Sequence, residues 1–195
     1  MGTLNVANLN STSLNSTNLT STNLTSTGGN IDFSGSWTDA PAGTIIQMAS
    51  ATAGPAKQTF TSTTPVVITG LDVDFTPRRS DSKIIINVTL NSNITYVSSF
   101  GVYQDGSAVV STSGQNNTNE ANTSITTYKG DSVTNHMFAL SFNVIINAGS
   151  TSVRTYDVRG TSGWSGTGYS LSVNNRSTYN DMASFSTMVI YEVAT

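Results

Sequence analysis

A chain of 195 residues is long enough for one domain of ordinary size with a short appendage, and too short for a multidomain enzyme. Only 10% of its residues are charged, against roughly 25% in ordinary soluble chains, and Ser, Thr and Asn make up about 40% by count, so neutral polar groups replace the usual charged surface. A net charge of −3, with eight Lys and Arg dispersed along the chain, excludes nucleic acid and anionic membrane as partners; zero Cys and a single His exclude disulfide scaffolds, thiolate zinc sites and Cys nucleophiles.

The amino end carries neither the basic start nor the apolar middle of a secretory signal, and no apolar run is long enough to span a bilayer. The expectation is synthesis in a cytosol without insertion or export. Val6 stands where an N-myristoylation signal wants Ser or Thr, so that lipid is not expected either. Residues 4–27 contain no charged, aromatic, Pro or Gly residue, and leucines fall at Leu4, Leu9, Leu14, Leu19 and Leu24. This strict period of five makes no stripe on a helix, where each step drifts by about 140°, and alternates faces on a flat strand. The units around these leucines, such as Thr17-Asn18-Leu19-Thr20-Ser21, resemble the pentapeptide-repeat pattern of square β-helices. Four such units make about one coil, which cannot bury its apolar side without stacked neighbours. The leucines are therefore expected to bury on other chains, and the extended arm could reach about 80 Å. A low-complexity disordered leader is the alternative, but disorder needs no period.

Gly28-Gly29 ends the repeat, and residues 28–42 read as a linker with two apolar anchors, Phe33 and Trp37. A body of residues 43–195 follows, with period-two alternation. Predicted strands cover residues 44–48, 58–63, 66–75 and 83–90. In the third, Leu71, Val73 and Phe75 share a face opposite Asp72 and Asp74. Residues 101–110 predict a hairpin, because Asp105-Gly106 suits a type I′ turn. Further strands are expected at 137–146, 152–158, 169–173 and 185–193, with exposed loops at 113–122 and 160–168. Eight or nine short strands with polar turns indicate an all-β fold: an antiparallel jelly-roll-like β-sandwich preceded by an extended N-terminal repeat arm. An up-and-down barrel is the second choice.

The residues that bear on chemistry do not make a catalytic centre. His136 has no nucleophile elbow and no metal-spaced acid beside it. Asp72 and Asp74, about 7 Å apart on one strand face, lack the further oxygen ligands calcium needs, and read as the solvent side of an outer strand. The two Glu, Glu120 in a polar loop and Glu192 near the carboxyl end, make a poor glycosidase pair. No enzyme activity, metal or cofactor is expected. Arg78 and Arg79 could clasp an acidic patch on a neighbouring subunit, or simply sit in a solvated turn. Trp164 and Tyr169 flank a Gly-rich turn and form a candidate ligand loop, since exposed aromatics stack on sugar rings; the competing reading folds them back on the sandwich.

The succession of Pro65-Val-Val-Ile-Thr-Gly-Leu-Asp-Val-Asp-Phe-Thr-Pro77, Ser82-Lys83-Ile84-Ile-Ile, Val102-Tyr-Gln-Asp-Gly106, Thr155-Tyr156 and Ser186-Thr-Met-Val-Ile-Tyr-Glu192 resembles a C-terminal domain of fibre, spike and decoration proteins of tailed bacteriophages. The likeness runs across residues 43–195. It departs from the family's pattern at Arg78-Arg79-Ser80-Asp81, which is more charged than the Ser-rich turn expected there. The resemblance implies a homotrimeric jelly-roll-like sandwich on a virion, assembled in the host cytoplasm. On that footing the leading expectation is a capsid decoration or cement protein whose arm anchors to the major capsid protein or other virion subunits. The alternative is the receptor-binding tip of a tail fibre or spike that recognises host surface glycans. In either case the assembly residues would be the five leucines with Phe33 and Trp37.

Overall fold

The computed structural model describes residues 40–94, 97–110, 124–128, 137–162, 170–175 and 183–195. The leucine arm, Phe33, Trp37, Glu120, His136, Trp164 and Tyr169 lie outside them. Eleven strands and no helix are found among the described residues, so no helix there could cross a membrane.

One sheet holds six strands: β1 (Ile45–Ala53), β2 (Gln58–Phe60), β4 (Lys83–Ile94), β8 (Phe138–Asn147), β10 (Leu171–Val173) and β11 (Ser186–Val193). The second holds five: β3 (Val66–Phe75), β5 (Val97–Gln104), β6 (Ser107–Ala108), β7 (Ile125–Tyr128) and β9 (Arg154–Ser162). Every pairing is antiparallel, and the sheets pack into a jelly-roll-like β-sandwich. In the larger sheet β4 is central. One side of it pairs with β11 and then β10, and the other side pairs with β8 along ten consecutive residues without a bulge.

Side-chain alternation explains why the sheets face each other. Ile84, Ile86, Val88 and Leu90 on β4, Met188 and Ile190 on β11, and Val144 on β8 point inward and are buried. They meet Ile68, Leu71, Phe75, Phe100, Val102, Tyr156 and Val158 from the second sheet in one apolar cluster. Fully burying such side chains contributes about 1.5–3 kcal/mol each, which makes this cluster the main source of cohesion. The Tyr156 ring meets Phe75 edge-on at 6.4 Å between centroids.

The expected Asp105-Gly106 turn is present, with positive φ at both residues (50° and 83°), as a type I′ hairpin between β5 and β6 requires. Leu71 and Phe75 are buried, Val73 is half-buried, and Asp72 and Asp74 lie exposed on an outer strand of the smaller sheet, as the alternation predicts. The structure departs from the expected pattern in several places: β1 runs on to Ala53, and Gly160, Thr161 and Ser162, expected to open an exposed loop, are buried in β9. Strand β4 continues through Asn91–Ile94, β5 begins at Val97, and β7 was not anticipated. These segments hold together through hydroxyl and amide groups. Ser99 Oγ lies 2.9 Å from Thr126 Oγ1, Thr127 Oγ1 donates to the Ser98 carbonyl, and Asn91 Nδ2 donates to the Phe185 carbonyl.

Candidate functional site

The most organised polar constellation lies where the turn between β3 and β4 meets the last strand. Alternation along β11 carries Ser186, Met188, Ile190 and then Glu192 to the inner face, so the Glu192 side chain is fully buried. The turn supplies its partners. Pro77 is buried and sets the backbone so that two successive amides point inward. Arg78 N–H donates to Glu192 Oε2 at 2.8 Å, and Arg79 N–H to Oε1 at 2.9 Å. The buried Ser82 hydroxyl donates to Oε1 at 2.6 Å, and Gln47, opposite Glu192 on β1, donates through Nε2 to Oε2 at 2.6 Å. The same Gln47 amide reaches the Thr76 carbonyl at 2.7 Å, tying β1 to the turn. All four of these donors are neutral, so this carboxylate acts as a structural acceptor for the turn and faces no cation among them.

The two candidate subunit-contact residues therefore use their backbones internally. The Arg78 side chain is exposed. The Arg79 guanidinium forms a bidentate pair with Asp81, at 2.9 and 2.7 Å. That hydrogen bond holds the Asp81 carboxyl below its ordinary pKa. A depressed carboxylate pKa contributes to folded-state stability at pH values above the unfolded-state value, and the contribution is lost as pH falls through the folded-state value. The expected result is a side-chain carboxyl titration of Asp81, followed by NMR, with a midpoint below that of an unpaired aspartate. Arg79→Ala should move the midpoint upward, and an unchanged midpoint would show that the pair does not set it.

The outer face of the smaller sheet bears a second charged group. Asp157 and Tyr103 are direct neighbours across β9 and β5, and Arg159 sits opposite Gly101. Arg159 Nε donates to Asp157 Oδ1 at 2.6 Å, and its guanidinium carbon lies 4.4 Å from the Tyr103 ring centre. The Asp157 hydrogen bond raises the Arg159 pKa, and burial raises that of the Tyr103 phenol. Next to them, Asp74 accepts from Thr155 Oγ1 at 2.6 Å. Exposed Asp72 lies directly opposite Asp157, so acidic groups outnumber basic ones on this face. No group of three His, Cys, Asp or Glu able to hold a metal ion occurs among the described residues.

The outer face of the larger sheet is different in kind. The register sets Met48 opposite Tyr191, Tyr191 opposite Ile85, and Ile85 opposite Ile145. The result is one apolar row across four strands, with Met48 and Ile145 about three-fifths exposed at its two ends (62% and 60%). Among the outward residues paired across these strands, Lys83 is the only charged one, and its ammonium is held by Asn147 Oδ1 at 2.5 Å.

No protein-family profile matches the sequence, and no curated protein is significantly similar to it. Among solved structures, the chain is similar to the crystal structure of the infectious bursal disease virus VP2 subviral particle. The identity is 18% and the TM-score 0.35; the match covers 77% of this chain and 39% of that one.

Sequence reasoning passed over Glu192 as a functional residue in weighing it only as half of a glycosidase pair. The available signal was parity: Glu192 sits two residues after Ile190 and four after Met188 on an alternating strand, so it had to face inward. The outward row was also readable in part, since Ile85 and Tyr191 occupy the complementary parity, but the sequence does not give the register that aligns them.

Proposed function

We propose that this chain is a non-enzymatic virion structural protein, a homotrimeric decoration or cement protein held on a phage capsid by its N-terminal arm. The observation that carries the reading is the arm: five leucines at a strict period of five in an uncharged segment of residues 4–27, which a single coil of repeats cannot bury. The body supports it. The larger sheet presents an almost uncharged outer face with an apolar row. Such surfaces suit a protein packed closely against other subunits, where like charges would repel and stranded charges would be costly to desolvate.

The mechanism is additive burial. Each leucine contributes about 1.5–3 kcal/mol if fully covered, before ordering costs, and joining several arms in one assembly adds avidity. Deleting residues 1–27 is expected to abolish retention of the protein on purified particles while leaving the thermal unfolding transition of the sandwich in place. Unchanged occupancy after that deletion would remove the arm from the anchoring role. Copy number separates the alternative of a glycan-binding fibre tip, because decoration requires many copies per particle and a tip few.

A further inference from the structure

We propose that the cleft between the β5–β6 hairpin and the end of β8 binds a small oxyanion. The cleft has a volume of about 200 Å³ and is lined by Gln104, Ser107, Ala108, Val109, Ile146 and Asn147. That volume exceeds the roughly 30 Å³ of a water molecule several times over and falls below the roughly 300 Å³ at which pockets for drug-sized ligands begin. It suits an ion of the size of phosphate, sulfate or acetate.

The charge of the site comes from two cations that the fold leaves without acids. Alternation on β9 turns Arg154 to the same inward side as Tyr156 and Val158, and Gln104, directly opposite Tyr156 on β5, faces the same way. Arg154 Nη1 donates to Gln104 Oε1 at 3.2 Å, and Nη2 donates to Ser150 Oγ at 3.0 Å. At the end of β8, Asn147 Oδ1 accepts from the Lys83 ammonium at 2.5 Å. Each of these acceptors is neutral, and among the described residues neither cation forms an ion pair. Asp105, the acid next to Gln104 in the chain, directs Oδ1 to the Thr155 N–H at 2.9 Å. Arg79 and Arg159, by contrast, are each matched by a carboxylate.

The same contacts orient the donors that line the cleft. An amide that meets a cation through its oxygen turns its NH2 group the other way. Gln104 Nε2 and Asn147 Nδ2 are left as donors, and neither makes a hydrogen bond among the described residues. The exposed Ser107 hydroxyl adds a third donor, and the Arg154 guanidinium has further N–H groups to give. Donors backed by a guanidinium and an ammonium are complementary to an oxygen-rich anion. Ala108, Val109 and Ile146 line the rest with apolar surface, which leaves less water to screen the charges. The overall charge of −3 repels anions, so binding must come from these local groups. The site stands independently of the virion reading.

An NMR titration of the full chain at neutral pH tests this, with sodium phosphate, sodium acetate and, at matched ionic strength, sodium chloride. Phosphate or acetate should shift the side-chain NH2 signals of Gln104 and Asn147 along a saturating curve. The ion that saturates at the lower concentration identifies the preferred shape, tetrahedral or planar. Gln104→Glu keeps an acceptor for Arg154 but neutralises it, and should bind roughly tenfold more weakly, read at the Asn147 signal. Asn147→Asp does the same to Lys83 at an exposed position and is read at the Gln104 signal. Lys57→Gln removes an exposed cation from the β1–β2 connection, at the other end of the larger sheet, and should leave binding unchanged. Shifts no larger than those in chloride, a response without saturation, undiminished binding in both acidic variants, or an equal loss in Lys57→Gln would each overturn the proposal.

Discussion

Glu192→Ala should destabilise the sandwich by about 3–5 kcal/mol in chemical denaturation, although Glu192 lies three residues from the carboxyl end of the sequence. The carboxylate accepts from Arg78 N–H, Arg79 N–H, Ser82 Oγ and Gln47 Nε2 in a fully buried position. Removing it leaves those donors facing an apolar methyl group, and each unsatisfied buried donor costs about 1–3 kcal/mol, partly relieved where water can reach the turn. At roughly 2–4 °C per kcal/mol for a domain of this size, the melting temperature should fall by about 6–20 °C. Glu192→Gln is the informative companion. It keeps the volume but turns one oxygen into an NH2 group facing donors, so an intermediate loss is expected. A loss below about 1 kcal/mol for the alanine variant would show that the turn holds its shape by other means.

The same carboxylate sets what the Arg78-Arg79-Ser80-Asp81 turn requires. The turn needs two consecutive backbone amides aimed inward and a hydroxyl at Ser82, while the Arg78 side chain is exposed and the Arg79 guanidinium is paired with Asp81. Thr195 Oγ1 donates to the Asp81 carbonyl and Gly149 N–H to the Ser80 carbonyl, so the chain end and the β8–β9 connection close over the same turn. The site organises one end of the sandwich.

How far the fold could be read in advance follows from what faces inward. Where the inward residues are aliphatic, as along Lys83–Ile94 as far as Leu90 or along Ser186–Val193, the alternation marks the strand and its face correctly. Where the strands are buried on both faces, with Ser92 and Ser98 on the inner side and Asn93, Ser99, Thr161 and Ser172 on the outer side, the alternation vanishes although the backbone is still paired. That polar end of the sandwich gives no alternation by which the last residues of β4, the start of β5 or β7 could be read from sequence. Thr59 and Ser172 make such an outer-face pair, with hydroxyls 3.3 Å apart across β2 and β10. The Asp105-Gly106 turn was legible because its backbone requirement is written in residue type. The pairing that aligns Met48, Tyr191, Ile85 and Ile145 was not, because register depends on the whole sheet.

The second large effect concerns the distance between the sheets. Gly160 of β9 faces Phe100 across its own sheet, and a side chain added there would place a Cβ 2.8 Å from Leu171 Cδ2 of β10, in the opposite sheet. Leu171 is fully buried, so it has nowhere to retreat without moving β10. Leu171→Ala should cost about 2–5 kcal/mol through lost burial and a cavity, and Gly160→Ala about 1–3 kcal/mol through overpacking. If the notch at Gly160 exists to receive Leu171, the added methyl should fill part of the space that the leucine vacates. The double variant is then expected to be more stable than the sum of the single losses predicts, by about 0.5–3 kcal/mol in a denaturation-based double-mutant cycle. Strict additivity would mean that the two sheets adjust to each change separately, and that this corner of the core is not what fixes their spacing.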